Sequence, residues 1–233
     1  MMPSMCKKVV VFDLDDTLYK EIDFLKSGYR KVAELVEKRF HYDAREVYER
    51  LYLWYVNGEN PFVRLNETYE IDNPISDYLD IYRYHHPMIS LTGETKETLT
   101  KLKEAGYVLG IITDGREKTQ KQKVEALGLT EWVRMENVLI NNDKNHFKPN
   151  QWGYDRMMMN CYRQYPNSDL SFCYVGDNPE KDFLAPNQMG WMSICLEDDH
   201  RNIHEQDFTL GKDYLPQFIA KSIVELYDLV RQF

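Results

Sequence analysis

Apolar positions along this chain change period twice. Lys7 to Phe12 is a β-branched run that stops at the acidic stretch Asp13 to Thr17, which reads as a buried strand opening into a polar loop. From about Glu21 to His86 only helical spacing recurs. Phe24, Tyr29, Val32, Leu35 and Val36 mark one segment, Val47, Leu51, Trp54 and Tyr55 a second, and Ile75, Tyr78, Leu79 and Tyr82 a third. Beyond Gly93 the two periods alternate. The pattern predicts a helix over 94–105, a strand over 107–113, a helix over 116–127 and a weaker strand near 138–140. A helix near 151–162, a strand over 171–175, a short helix from Pro179, a strand over 191–196 and a closing helix near 215–231 follow. Gly106, Gly128 and Gly190 sit where helical segments end, as C-terminal caps do. Strands alternating with helices at this pitch imply a parallel sheet covered on both faces. The architecture expected is a doubly wound α/β core made of residues 1–18 and 90–233, interrupted by an all-helical insertion, residues 19–89.

Composition narrows the class of protein. The chain has 233 residues, 43% of them hydrophobic, enough to bury a full core. Its longest apolar runs, such as Val9 to Phe12 and Val108 to Ile112, are strand-sized, far below the roughly 18 residues of a membrane span. Met1 to Lys8 lacks the basic start and apolar stretch of a secretory signal, so a cytoplasmic location is the default expectation. Cys6, Cys161, Cys173 and Cys195 form no C-x-x-C pair and read as reduced packing residues. A formal net charge of −9 disfavours a nucleic-acid polymer as partner. A small phosphorylated metabolite stays possible, because a divalent cation reverses the sign inside an acidic pocket. Monomer and homodimer both remain open.

Ligands of an open parallel sheet bind outside the carboxyl ends of its strands, so the residues just after each apolar run carry the candidate chemistry. They are Asp13-Leu14-Asp15-Asp16-Thr17, Thr113-Asp114-Gly115, Lys148-Pro149 at the opening of a helix, and Gly176-Asp177-Asn178 followed by Asp182. So many carboxylates repel unless a hard cation joins them, and Mg²⁺ is commonly held by one or two carboxylates with substrate phosphate. Asp13 and Asp177 are the natural ligand pair. Phosphoryl transfer also needs a nucleophile, neutralisation of the phosphoryl oxygens and a proton for the leaving group. Asp13 can attack phosphorus and Asp15 can give and take a proton, while Thr113, N–H groups around Asp114 and Lys148 can hold phosphate. Each site alone has a plainer reading, as a solvated turn, a helix cap or a surface lysine. Their joint occurrence favours chemistry. His85-His86 lacks metal-ligand spacing and reads as a surface pair, and Glu197-Asp198-Asp199 reads as a solvated loop.

FDLDDT, IITDG, FKP and GDNPEKD, in that order, resemble the four motifs of the haloacid dehalogenase superfamily, in its phosphatase branch with a helical cap of the first subfamily. The resemblance implies Asp13 as nucleophile, Asp15 as general acid/base, Thr113 and Lys148 as phosphate ligands, and Asp177 with the Asp15 carbonyl as further metal ligands beside Asp13. Asn178 supports this set, as does Asp182, through Lys148 or a metal-bound water. It also implies that residues 19–89 close over the site. The stretch Asn141 to His146 departs from the pattern, lacking the Ser-Glu and Gly often found before the lysine. An acid at Asp15 points away from carbon–halogen cleavage. The activity expected is Mg²⁺-dependent hydrolysis of a small phosphomonoester, a sugar phosphate or nucleotide. A phosphomutase and a non-catalytic phosphometabolite-binding module are the alternatives.

Overall fold

The computed structural model describes residues 5–233; Met1 to Ser4, part of the stretch read for a secretory signal, lie outside it. The chain divides into two compact units, one running to Glu21 and resuming at Ser90–Phe233, the other Ile22–Ile89.

The first unit opens with β1 (Met5–Phe12), whose Val9, Val10, Val11 and Phe12 are completely buried, as a central parallel strand requires. The second unit is helical, with most of α1 (Glu21–Phe40), then α2 (Ala44–Val56), α3 (Pro61–Tyr69) and α4 (Ile75–Tyr84). Asp43 caps α2 by accepting from the Glu46 N–H, and Asn60 caps α3, which starts on Pro61. α3 buries Phe62 and Leu65, three residues apart on one face. Val32, Val36, Val47, Leu51 and Tyr78 fill the core of this unit, and Tyr29 packs against Phe62 and Tyr82 at ring separations of 6.0 and 5.8 Å. His85 is not the surface residue expected: it is buried, with Nε2 2.9 Å from Ser27 Oγ and Nδ1 2.8 Å from the Tyr82 carbonyl.

From Ser90 the first unit continues with α5 (Gly93–Glu104), β2 (Val108–Asp114), α6 (Glu117–Ala126), β3 (Val138–Asn141) and α7 (Trp152–Gln164). Then come β4 (Ser168–Gly176), α8 (Pro179–Asp182), α9 (Leu184–Gln188), β5 (Met192–Leu196), β6 (Phe218–Ala220) and α10 (Ile223–Arg231). The six strands form one parallel sheet in the order β3-β2-β1-β4-β5-β6. Gly106, Gly128 and Gly190 all take positive φ at helix ends. One face of the sheet packs Val9, Val11, Ile112 and Tyr174 against Tyr154, Met157 and Cys161 of α7 and against Trp191. No helix among the described residues is long and apolar enough to cross a membrane.

Two further expectations change. The closing helix predicted over 215–231 is a strand followed by a helix. Phe218, Ile219 and Ala220 pair with Ile194, Cys195 and Leu196 of β5, and α10 begins only after Ser222, whose side chain caps the Glu225 N–H. Ser222 followed three residues later by Glu225 is a sequence signature of a helix start, and the Glu225 carboxylate accepts from the Lys221 N–H at 2.7 Å; the strand depends on a neighbour distant in sequence. Of the cysteines, Cys161, Cys173 and Cys195 are buried packing residues, whereas Cys6 is exposed.

Candidate active site

Strand order locates the site. The chain runs outward from β1 to β2 and β3 on one side and through β4, β5 and β6 on the other, so the sheet switches direction between β1 and β4. Helices on opposite faces leave a crevice at such a point, outside the carboxyl ends of the strands. Phe12 pairs with Val175, so Asp13 and Asp177 leave neighbouring strands side by side, and the Asp13 N–H donates to the Val175 carbonyl at 2.8 Å. Phe12 also pairs with Ile111, which brings Thr113 to the same edge. A cavity of about 260 Å³ lies there, lined by Asp13, Asp15, Thr113, Asp114, Lys148, Asp177, Asn178 and Asp182 among others. Residues from all four of the strand-end and loop segments singled out from the sequence therefore line one pocket.

The contacts differentiate them. Lys148 Nζ lies 2.7 Å from Asp13 Oδ1 and donates to Asp182 Oδ1 at 2.7 Å and to the Tyr174 hydroxyl at 3.1 Å. An ammonium has three protons, and all three are engaged with protein groups. Burial works against its charge, but Asp13, Asp182 and Asp114 outweigh this and hold Lys148 well above the usual lysine range. Lys148 lies in the loop before α7 and does not itself open a helix. Asp182 is completely buried and its carboxylate is fully used: besides Lys148, Oδ1 lies 3.3 Å from the Tyr174 hydroxyl, and Oδ2 accepts from the Asp177 and Asn178 N–H groups at 3.1 and 2.9 Å. Gly176 makes this possible, because a Cβ there would stand 2.4 Å from Asp182 Oδ2. The Asn178 side chain caps α8 by accepting from the Glu180 N–H. Asp114 accepts from Asn141 Nδ2 at 2.8 Å and from the Lys148 N–H at 3.0 Å, tying β3 and the lysine loop to β2. The Gly115 N–H, next to it, is taken by the Asn141 carbonyl.

Asp15 stands apart from this set. Lys123 Nζ meets its Oδ1 at 2.7 Å, Tyr19 donates to the same oxygen, and Gln120 Nε2 donates to Oδ2 at 2.9 Å. Burial opposes ionisation, yet Lys123 and these hydrogen bonds hold the Asp15 carboxyl below its usual range. Glu21 nearby is pushed up to about 7, first by burial and then by the Asp15 charge. Sequence reasoning missed Gln120 and Lys123. They lie on the inner face of α6, where Thr119, Gln120, Lys123 and Val124 are buried, and a helix with a mostly polar inner face shows no apolar stripe.

In the loop after β5, Glu197 and Asp199 are exposed, as a solvated segment requires, and Asp198 is partly buried. Asp198 Oδ1 accepts from the Arg201 and Asn202 N–H groups, and Lys20 Nζ lies 3.0 Å from Asp199. Asn202 Nδ2 donates to Asp177 Oδ2 at 3.2 Å, Gln206 Nε2 to the Asp177 carbonyl at 2.7 Å, and the Ile203 N–H to Asp16 Oδ2 at 2.9 Å.

One oxygen each of Asp13, Asp177 and Asp182 lie within 4.8 Å of one another. Asp182 is completely buried and held by Lys148 and two backbone N–H groups, whereas among the described residues Asp177 accepts only from side chains, the Thr17 hydroxyl at 3.0 Å and Asn202 Nδ2 at 3.2 Å, and Asp13 meets Lys148 through Oδ1. Burial, resisted by Lys148 and helped by the Asp182 charge, pushes the Asp13 carboxyl up to about 8. Burial together with the Asp182 and Asp13 charges raises Asp177 well above the carboxylate range. Two buried carboxyls whose ionisation is resisted by their surroundings are a donor set that a hard, oxygen-seeking divalent cation fits.

Known proteins are similar to this chain in sequence and in fold. Over 96% of the chain it is 24% identical to a glyceraldehyde 3-phosphate phosphatase of Methanocaldococcus jannaschii, covering 97% of that protein. It is likewise 24% identical to a phosphoglycolate phosphatase of Vibrio vulnificus, with 96% of each chain covered. In fold it matches a HAD phosphatase crystal structure from Thermococcus onnurineus with a TM-score of 0.58 and 18% identity, over 96% of this chain and 97% of that one. Residues 10–196, from within β1 to the end of β5, match the family described as haloacid dehalogenase-like hydrolase. That span contains every strand end that feeds the crevice, and the chain belongs to the haloacid dehalogenase-like hydrolase family.

Proposed function

We propose that this chain is a phosphatase that hydrolyses a small phosphomonoester through a phosphoryl-aspartate on Asp13, with Mg²⁺ as cofactor. The observation that carries the reading is Asp13 itself: it sits at the switch point of the sheet, paired with Lys148 and within reach of Asp177, with Asp15 lining the same cavity. Asp13 and Asp177, with the Asp15 carbonyl, would hold the cation, which when bound offsets the negative charge of phosphate and carboxylate. A carboxylate oxygen of Asp13 attacks phosphorus as the bond to the leaving-group oxygen breaks, and Asp15, which must first take up a proton against the hold of Lys123, passes that proton to the leaving oxygen. Water then attacks the phosphoryl-aspartate, the bond to Asp13 breaks, and Asp15 takes the proton from water. Thr113 and the loop at Lys148 hold the phosphoryl oxygens, while Asp182 fixes Lys148 and the turn at Asp177.

The names of the relatives, a glyceraldehyde 3-phosphate phosphatase and a phosphoglycolate phosphatase, support a small phosphorylated substrate. The helical unit enters the chain directly after the loop bearing Asp13 and Asp15, a place suited to an element that selects the leaving group. The test is phosphate release from a panel of phosphomonoesters by purified protein with Mg²⁺. Asp13→Asn is expected to abolish turnover and EDTA to stop it reversibly. Full activity surviving either treatment overturns the reading, and an isomerised sugar phosphate in place of free phosphate would assign a mutase.

A further inference from the structure

Gln120 and Lys123 are buried on α6, at 2% and 3% exposure. Burying an amide and an ammonium is costly, and apolar side chains would dock a helix on a sheet more cheaply. Both side chains converge on one carboxylate. Lys123 Nζ takes Asp15 Oδ1 at 2.7 Å, and Gln120 Nε2 takes Asp15 Oδ2 at 2.9 Å. The same Gln120 nitrogen also donates to Thr113 Oγ1, leaving the threonine hydroxyl proton to point elsewhere. A spacing of three residues puts the two side chains on one helix face, so a single rigid element sets both carboxylate oxygens. Tyr19, donating to Oδ1 from the loop after β1, completes the hold.

We propose that Gln120 and Lys123 are positioning residues that fix the Asp15 carboxylate for the second half of the reaction. Resting on the phosphatase reading, the inference assigns them to hydrolysis of the phosphoryl-aspartate. There the water oxygen bonds to phosphorus, the bond from phosphorus to Asp13 breaks, inorganic phosphate leaves, and the water proton goes to Asp15. Gln120 adds a coupling, because it holds Asp15 at a set distance from Thr113, which faces the phosphoryl group. A carboxylate gripped at both oxygens cannot rotate away from the attacking water.

An aryl phosphate isolates this step, since its leaving group departs with little help from an acid. The value of kcat/KM then reports formation of the phosphoryl-aspartate, and kcat reports its hydrolysis once that is slow. For Lys123→Met and Gln120→Leu, kcat for para-nitrophenyl phosphate is expected to fall on the order of tenfold to a hundredfold, the scale of a misplaced catalytic group. KM should fall in parallel and kcat/KM stay within about twofold. Rapid mixing should show a burst of nitrophenol equal to the enzyme present, with phosphate covalently retained on the protein. Lys123→Arg, which keeps a donor on Asp15, should recover most of kcat. A fall in kcat at unchanged KM with no burst, the result of mere loss of folded enzyme, overturns the inference alone. A wild-type protein that releases no phosphate overturns the phosphatase reading beneath it.

Discussion

Asp182 shows how one side chain can organise a site without occupying its centre. Its two oxygens meet the Lys148 ammonium, the Tyr174 hydroxyl and two backbone N–H groups, and the residue is completely buried. Every partner is a donor, so an amide cannot replace the carboxylate: its NH₂ would face either Lys148 or the turn at Asp177. Asp182→Asn is expected to destabilise the fold by about 3–5 kcal/mol, the cost of breaking a buried ion pair from one side. Urea unfolding monitored by tryptophan fluorescence measures it, and a loss under about 1 kcal/mol would contradict this account of the contacts. In the sequence, the pattern of GDNPEKD does not say which way the Asp182 side chain faces.

At the scale of elements, the turn from β4 into α8 is tightly constructed. Asn178 caps the helix, Pro179 starts it, and Gly176 lets the Asp182 carboxylate lie against the strand end. A methyl group at Gly176 would stand 2.4 Å from Asp182 Oδ2, and the neighbour in the way is a fully bonded carboxylate with no room to yield. Gly176→Ala should therefore push α8 off the sheet and shift Asp177 with it. The expected result is Mg²⁺ affinity weakened by at least about tenfold, read by calorimetric titration, because ligand placement sets affinity at such a site. Unchanged affinity would show that Asp177 does not depend on this turn. α6 teaches the opposite lesson about legibility. Its segment, Glu117 to Ala126, was recognised as helical, but its buried face is built from Thr119, Gln120 and Lys123. Periodicity predicts that the segment is helical, but not which polar side chains it turns inward to serve a carboxylate.

For the whole molecule, the acidic cavity dictates how stability responds to pH. The Asp13 carboxyl is raised to about 8 from 3.8 and Glu21 to about 7 from 4.5, in each case first by burial, and Asp177 is raised well above the usual carboxylate range by burial and by its acidic neighbours. In the interval between the unfolded and folded values, the folded chain keeps protons that the unfolded chain has released, so stability falls as pH rises. Asp15 works in the opposite sense, but its carboxyl is lowered from 3.8, so its contribution is lost only in more acidic solution. Metal-free protein is thus expected to melt at a lower temperature at about pH 8 than at about pH 5. Added Mg²⁺ should raise the melting temperature more at the higher pH, because the cation competes with those protons. Scanning fluorimetry with and without EDTA reads both effects, and a melting temperature that rises with pH in the absence of metal would contradict the argument.

The alternation of periods determined by itself that this chain builds a parallel sheet with helices on both faces. Four motifs after strand ends located the acids, the threonine and the lysine that share one cavity. Local patterns suffice for this because a buried parallel strand must be continuously apolar, and the polar residues that follow it fall at the sheet edge. The partition of labour within the cavity depended on tertiary structure. Only three-dimensional packing spends the Lys148 protons on Asp13, Asp182 and Tyr174, brings Gln120 and Lys123 from α6 onto Asp15, and pairs Phe218 to Ala220 with β5. Each of these contacts joins residues that sequence spacing does not place together. Their energy comes from desolvated hydrogen bonds and charges, whose worth is decided by direction and burial, quantities absent from a one-dimensional pattern.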